Sequence, residues 1–252
     1  MGVNLFDNFV DAYDRAARLY PALICLLPVV AVAAGVHGAA PSLNPALITL
    51  VTSFGGLFLL MSVSRDLGKR LEPALFSSWG GKPTTQILRH RDTTIDPVTK
   101  KRVHGFLERH LEIAFPTIEE EAADPVAADG VYQSGTQWLL GKTQDRIRFP
   151  FVFKENVNYG FRRNCLGLKP IGVLIAVLAM AWTLAASGVL SATGISATKI
   201  VEANIGTKVA LIVDLGAFFT WTFLITRESV RRVAFSYAEM LLRACDNLPN
   251  WQ

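Results

Sequence analysis

Hydrophobic positions along this chain gather into four long blocks, 19–36, 46–63, 171–190 and 209–225, separated by stretches in which charged residues are dense. Each block is 17–20 residues long, and a helix of that length matches the hydrocarbon core of a bilayer, which takes about 20 residues to cross. Three of the blocks contain no Asp, Glu, Lys, Arg or His, and the fourth contains only Asp214. A helix apolar on every side has only a membrane or a very large protein interior to lie in. The pattern therefore predicts an all-α integral membrane protein with four transmembrane helices in two hairpins.

The polar stretches have a different period. Residues 1–18 predict an amphipathic N-terminal helix, 19–64 the first hairpin, 65–168 a helical cytosolic insert, 169–226 the second hairpin and 227–252 an amphipathic C-terminal helix. The insert lacks the alternating β-branched runs of strands and carries helix starts instead. Asp96-Pro97 sets an N-cap before a first-turn proline, with Val98, Val103, Phe106, Leu107 and Leu111 following at helical spacing. Thr117-Ile118-Glu119-Glu120 has the form of a capping box, and Asp124-Pro125 is another start. In the tail, Val230, Val233, Tyr237, Leu241 and Ala244 share one face.

Charge sets the expected orientation. Of the 25 Lys and Arg residues, only Lys199 and Lys208 lie in the connection between the third and fourth blocks, and the connection between the first two has none. Basic residues near span ends stay in the cytosol, so both short connections are expected outside and both termini inside, in the inner membrane of a bacterium-like cell. The mean hydropathy of +0.32 agrees with this class. Cys25, Cys165 and Cys245 lack metal-site spacing and form no disulfide framework. The first 20 residues do not have the basic-then-apolar order of a signal peptide, and Phe6 stands where a myristoylation signal needs Ser or Thr.

The two halves share a pattern, Ser64-Arg65-Asp66-Leu67-Gly68-Lys69-Arg70-Leu71 against Thr226-Arg227-Glu228-Ser229-Val230-Arg231-Arg232-Val233. It is compatible with a tandem duplication of one hairpin unit, and equally with basic flanks acquired independently.

Candidate chemistry is sparse. Thr49, Thr52, Ser53 and Gly56 fall on one helical face of the second block, suited to close helix packing or to lining a pore in a homo-oligomer. Asp214 is the one carboxylate in a block, with snorkelling to water or pairing with Lys208 or Lys199 as the plain alternative to an ion path. Trp79-Gly80-Gly81-Lys82-Pro83 opens onto Thr84, Thr85, Arg89 and Arg91, a set able to hold an anion such as phosphate. The plain alternative is a helix C-cap, a turn and a basic surface near anionic lipid, since the Walker spacing is absent. His104 and Glu108 lie four apart but lack the H-E-x-x-H of a zinc site, and no nucleophile motif is present.

No cofactor or metal is expected, and nucleic acid is not an expected partner, because the inner leaflet explains the basic clusters as well. The expectation for function is an oligomeric sensor, effector or channel in the lipid bilayer, whose cytosolic helices respond to a protein or an anionic small molecule. A membrane-bound enzyme acting on a phosphate-bearing lipid or nucleotide, and an anchor for a cytosolic partner, are the alternatives.

Overall fold

A computed structural model describes residues 11–36, 54–191 and 194–248. Among these the protein is all-α, the one exception being a two-residue ladder in which Leu190–Ser191 pairs antiparallel with Gly194–Ile195. Three helices are long and apolar enough to cross a membrane: α1 (Asp14–Val36), α7 (Pro150–Ala186) and α9 (Ile205–Leu224). Of the second block only the part from Phe54 is described, as the start of α2 (Phe54–Trp79). Thr49, Thr52 and Ser53 lie outside the described residues, so the pore-face expectation rests there on Gly56 alone.

The chain forms two compact units, one from the described parts of Met1–Leu71 with Gly160–Ser229, the other from Glu72–Tyr159 with Val230–Gln252. The first is apolar outside and polar within. Leu174, Leu178, Ile212, Leu215, Phe219 and Phe223 are exposed, Ile212 by 71%, while Ser64, Arg163, Asn164, Thr183 and Asp214 are buried. The apolar windows of α1, α7 and α9 bury only 33%, 28% and 22% of their residues inside the protein.

Glycine sets how closely these helices meet. In α1 and α9, Gly35 lies against Gly206, and a Cβ at Gly206 would come 2.6 Å from the Gly35 carbonyl oxygen. In α2 and α7, a Cβ at Gly167 would come 2.5 Å from the Gly68 amide nitrogen. Gly172 of α7 accommodates the Trp221 ring, and Gly160 accommodates Tyr13 and Ala17. Where helices have no water to escape, such backbone approach is the main source of their attraction. Beside the Gly68 contact, the buried Asn164 amide donates to the Ala17 carbonyl at 2.7 Å and its oxygen accepts from Arg163.

The two copies of the shared pattern adopt different backbones. Ser64–Leu71 lies inside the unbroken α2. At the second copy, α9 ends in a π-turn over Thr220–Leu224, Ile225 is extended, and α10 (Arg227–Arg243) begins afresh. Thr226 and Ser229 cap that start, the Ser229 amide donating to Thr226 Oγ1 at 3.1 Å. The carbonyls freed at the break are taken by Lys169, whose Nζ donates to those of Thr222 and Ile225 at 2.9 and 2.8 Å.

The second unit is a helical cluster: α3 (Pro83–Leu88), α4 (Pro97–Leu111), α5 (Ile118–Ala123) and α6 (Pro125–Lys142) with α10 and the adjoining ends of α2 and α7. Its starts follow the sequence signals. Asp96 accepts from the Thr99 amide, the Thr117–Glu120 capping box is made in both directions, and Asp124 accepts from Val126 and Ala127. Ile87, Leu88, Val103, Phe106, Leu107, Tyr132 and Leu139 form the core with Leu241 and Leu242 of α10. Val98 departs from the helical-face expectation and is exposed. The short α8 (Ala197–Glu202) belongs to the first unit and leads to Asn204, the N-cap of α9.

The glycine contacts give a direct test. Gly35→Leu and Gly206→Leu are each expected to lower the thermal midpoint in detergent by an amount matching overpacking of about 1–3 kcal/mol or more. Gly216→Ala, whose Cβ meets nothing within 4 Å, is expected to leave it unchanged.

Candidate functional site

The basic stretch around Gly80-Gly81 becomes a helix end. Gly80 and Gly81 have φ of 86° and 131°, which only glycine adopts freely. The Gly81 amide donates to the Phe76 carbonyl at 2.8 Å and that of Gly80 to Ser77 at 3.2 Å, the two bonds of a Schellman cap on α2. The five candidate anion ligands are then distributed separately. Lys82 Nζ donates to Gln133 Oε1 at 3.3 Å. Arg89 forms a two-pronged pair with Asp129 at 2.8 and 2.6 Å and also donates to the Gly80 carbonyl at 3.0 Å; the Asp129 hydrogen bond raises its already high pKa, so it stays a cation. Thr85 is buried with its hydroxyl unpartnered, Thr84 is half-buried, and Arg91 is exposed.

What the fold gathers instead is a polar network around His90 and His104. The Glu121 carboxylate is buried and its Oε2 accepts from the His90 amide at 2.8 Å and the Tyr132 hydroxyl at 2.7 Å. His90 Nε2 lies 2.8 Å from the Pro116 carbonyl, and His104 Nε2 lies 2.8 Å from that of Leu88. A carbonyl can only accept, so each Nε2 carries hydrogen; burial holds the His104 ring neutral, which leaves its Nδ1 an acceptor. The two rings meet edge to face at 5.2 Å. Lys100 is buried and donates to the carbonyls of Arg89 and Asp92 at 2.6 and 2.5 Å, satisfying the end of α3; burial lowers its pKa.

Two clefts flank His90. The larger, about 570 Å³, is lined by His90, Asp92, Asp96, Lys101, His104 and Glu108 among others. The smaller, about 360 Å³, takes in Arg91, Ile118, Glu121 and Pro125. Within the larger, the amide of Thr99 lowers the Asp96 pKa and keeps it ionised. Glu108 Oε1 accepts from the Phe115 amide at 2.8 Å, so the His104/Glu108 spacing serves the α4 turn and not an exposed pair. Among the described residues no group of three or more His, Cys, Asp or Glu could hold a metal ion. The chemistry these residues offer is hydrogen bonding: the His104 acceptor nitrogen, three rim carboxylates and one exposed lysine.

The sequence signals for this cleft were slight. His104 is set apart only by lying four residues from Glu108, and His90 only by standing between the candidate ligands Arg89 and Arg91. What joins them is the turn back from α3 to α4, which no local motif records.

Asp214 is fully enclosed, which sets aside the plain alternative of snorkelling or pairing with a lysine and leaves the other reading open. Its Oδ2 contacts Thr183 Oγ1 at 3.0 Å, while Lys208 Nζ donates to the Val201 carbonyl. Trp221 is buried on Gly172, whereas Trp182 is exposed. Comparison with protein-family models, curated proteins and solved structures finds no match.

Burial pushes the His104 imidazole down to about 4, the Leu88 carbonyl opposing it in part. The unfolded chain, with the ordinary value near 6.5, binds a proton that the native state refuses. Stability is therefore expected to fall as pH drops from about 6.5 towards 4, by a total of about 3 kcal/mol from this group, and to be unaffected by it above pH 7. In thermal unfolding followed by circular dichroism, His104→Gln, which retains a donor for Leu88, is expected to flatten that slope.

Proposed function

We propose that this chain is a polytopic inner-membrane protein with four crossings and cytoplasmic termini. It works as an oligomeric sensor or effector whose helical unit responds to a ligand or partner by altering the packing of the apolar helices, with channel opening or signal transmission as the outcome. The reversed polarity of the first unit supports the bilayer: large apolar side chains outside and Asp214, Thr183, Asn164 and Arg163 inside suit lipid as the surrounding solvent. The observation that carries the coupling is where the chain passes between units. Leu71/Glu72 lies within α2, Tyr159/Gly160 within α7 and Ser229/Val230 within α10. No passage is a loop, and on this reading a helix displaced in one unit carries the movement into the other.

The cleft beside His90 is the favoured receiving site. Its rim balances Asp92, Asp96 and Glu108 against Lys101, which favours a small polar ligand or peptide that brings donors over a bare phosphate. The second reading, an enzyme acting on a phosphate-bearing lipid or nucleotide, needs Lys82, Arg89 and Arg91 together, and Arg89 is taken by Asp129. The third, an anchor for a cytosolic protein, draws on exposed Ile118 and Val126.

Liposomes holding the purified protein are expected to release trapped ions, with Lys101→Glu in the cleft changing the rate and leaving the oligomeric mass as it was. Inserting two glycines between Tyr159 and Gly160 is expected to remove the effect of the cleft substitution. Vesicles that stay tight with every variant, around a monomeric protein, would sink the channel reading and favour the anchor.

A further inference from the structure

Asp214 sits on the buried stripe of α9 with Thr207, Ala210 and Trp221. Its carboxyl group is fully enclosed, Oδ2 contacts Thr183 Oγ1 at 3.0 Å, and Oδ1 has no hydrogen-bond partner among the described residues. Thr183 Oγ1 also lies 3.0 Å from the Ala179 carbonyl oxygen. A hydroxyl has one hydrogen to donate. The hydroxyl of Thr183 can therefore donate to only one of the two oxygens, Asp214 Oδ2 or the Ala179 carbonyl, and both contacts are hydrogen bonds only when the carboxyl group supplies a hydrogen of its own. With an ionised carboxylate, one of the two contacts would set lone pair against lone pair.

Among the described residues, no cation answers the carboxyl group from the surrounding elements. On α9, Lys208 donates to the Val201 carbonyl at 2.7 Å. On α8, Lys199 lies beside Gly188, with Glu202 on the same helix. On α7 the nearest charge in sequence, Lys169, is occupied by the carbonyls of Thr222 and Ile225. The charges of α1, Asp14, Arg15 and Arg18, stand at the opposite end from Gly35, which meets Gly206 of α9. Those of α2, Arg65, Asp66, Lys69 and Arg70, flank Gly68, which meets Asn164 of α7 and not Thr183.

We infer that Asp214 is a proton-binding site inside the apolar unit, a neutral carboxylic acid that donates its proton to Thr183 Oγ1. Release is the transfer of that proton to water, giving a carboxylate and hydronium. The negative charge left between α7 and α9 then has at most the one Thr183 hydrogen, given up by Ala179, and no donor for Oδ1 among the described residues. Its relief is separation of those helices or entry of water or a cation, so the packing of the apolar helices depends on the protonation of one side chain. This stands apart from the cleft at His90 and does not require a ligand there.

Infrared spectroscopy of the protein in lipid at neutral pH reads the group directly. The wild type is expected to show the carbonyl-stretch band of a protonated carboxyl group, Asp214→Asn to lose it, and Thr183→Val to shift it to higher frequency. Asp214→Asn keeps a donor for Thr183 and so the packing. Spectra of wild type and Asp214→Asn that superpose in that region would overturn the inference, as would a band unmoved by Thr183→Val.

Discussion

The apolar unit depends on helix backbones lying in contact at glycine. Gly35 against Gly206 and Gly68 against Gly167 bring main chain to main chain, and Gly172 and Gly160 admit the rings of Trp221 and Tyr13. In water such helices would be driven together by their apolar surface. Here that surface faces outwards and cannot serve, so dispersion at close approach and a few enclosed polar bonds must hold them. The same closeness gives Asn164 its reach to the Ala17 carbonyl and encloses Asp214 beside Thr183.

The second unit is built in the opposite way. Its caps are local and polar, its core is aliphatic and aromatic, and its enclosed charges are answered: buried Lys100 by two carbonyls, buried Glu121 by Tyr132 and the His90 amide, half-buried Arg89 by Asp129. Residues whose ordinary place is the surface are thereby held inside, and the cleft beside His90 is the concavity they leave. On the proposed reading, this unit receives a chemical event and the glycine contacts give way to it, through helices that run without a loop across each passage between the units.

Much of the fold was legible from the chain. Apolar blocks gave α1, α7 and α9, and Asp96-Pro97, the Thr117 capping box and Asp124-Pro125 gave helix starts, because each is a local device with a local cause. What stayed open in the sequence has non-local causes. Gly80-Gly81 could open an anion loop or cap a helix; its positive φ angles close a Schellman cap, and Arg89 is drawn to Asp129, 40 positions along. Asp214 looked able to reach Lys208; the enclosing neighbour, Thr183, lies on another helix. The shared eight-residue pattern takes two backbones because Lys169 satisfies a helix break at Ile225 that α2 lacks. His90 and His104 converge only through the turn after α3, and nothing in either stretch announces it.

On the proposed reading, α8 faces one side of the bilayer and the helical unit the other. A membrane-impermeant thiol reagent on intact cells tests this, with single cysteines at Thr198 and at Val126, which is 82% exposed, in a background where Cys25, Cys165 and Cys245 are replaced by Ala. All three natural cysteines are buried, and burial pushes the Cys245 thiol up to about 12, so their replacement removes no reactive group. The expected result is that Thr198→Cys reacts from outside and Val126→Cys reacts only after the membrane is permeabilised. Equal labelling of the two positions in intact cells would contradict the account.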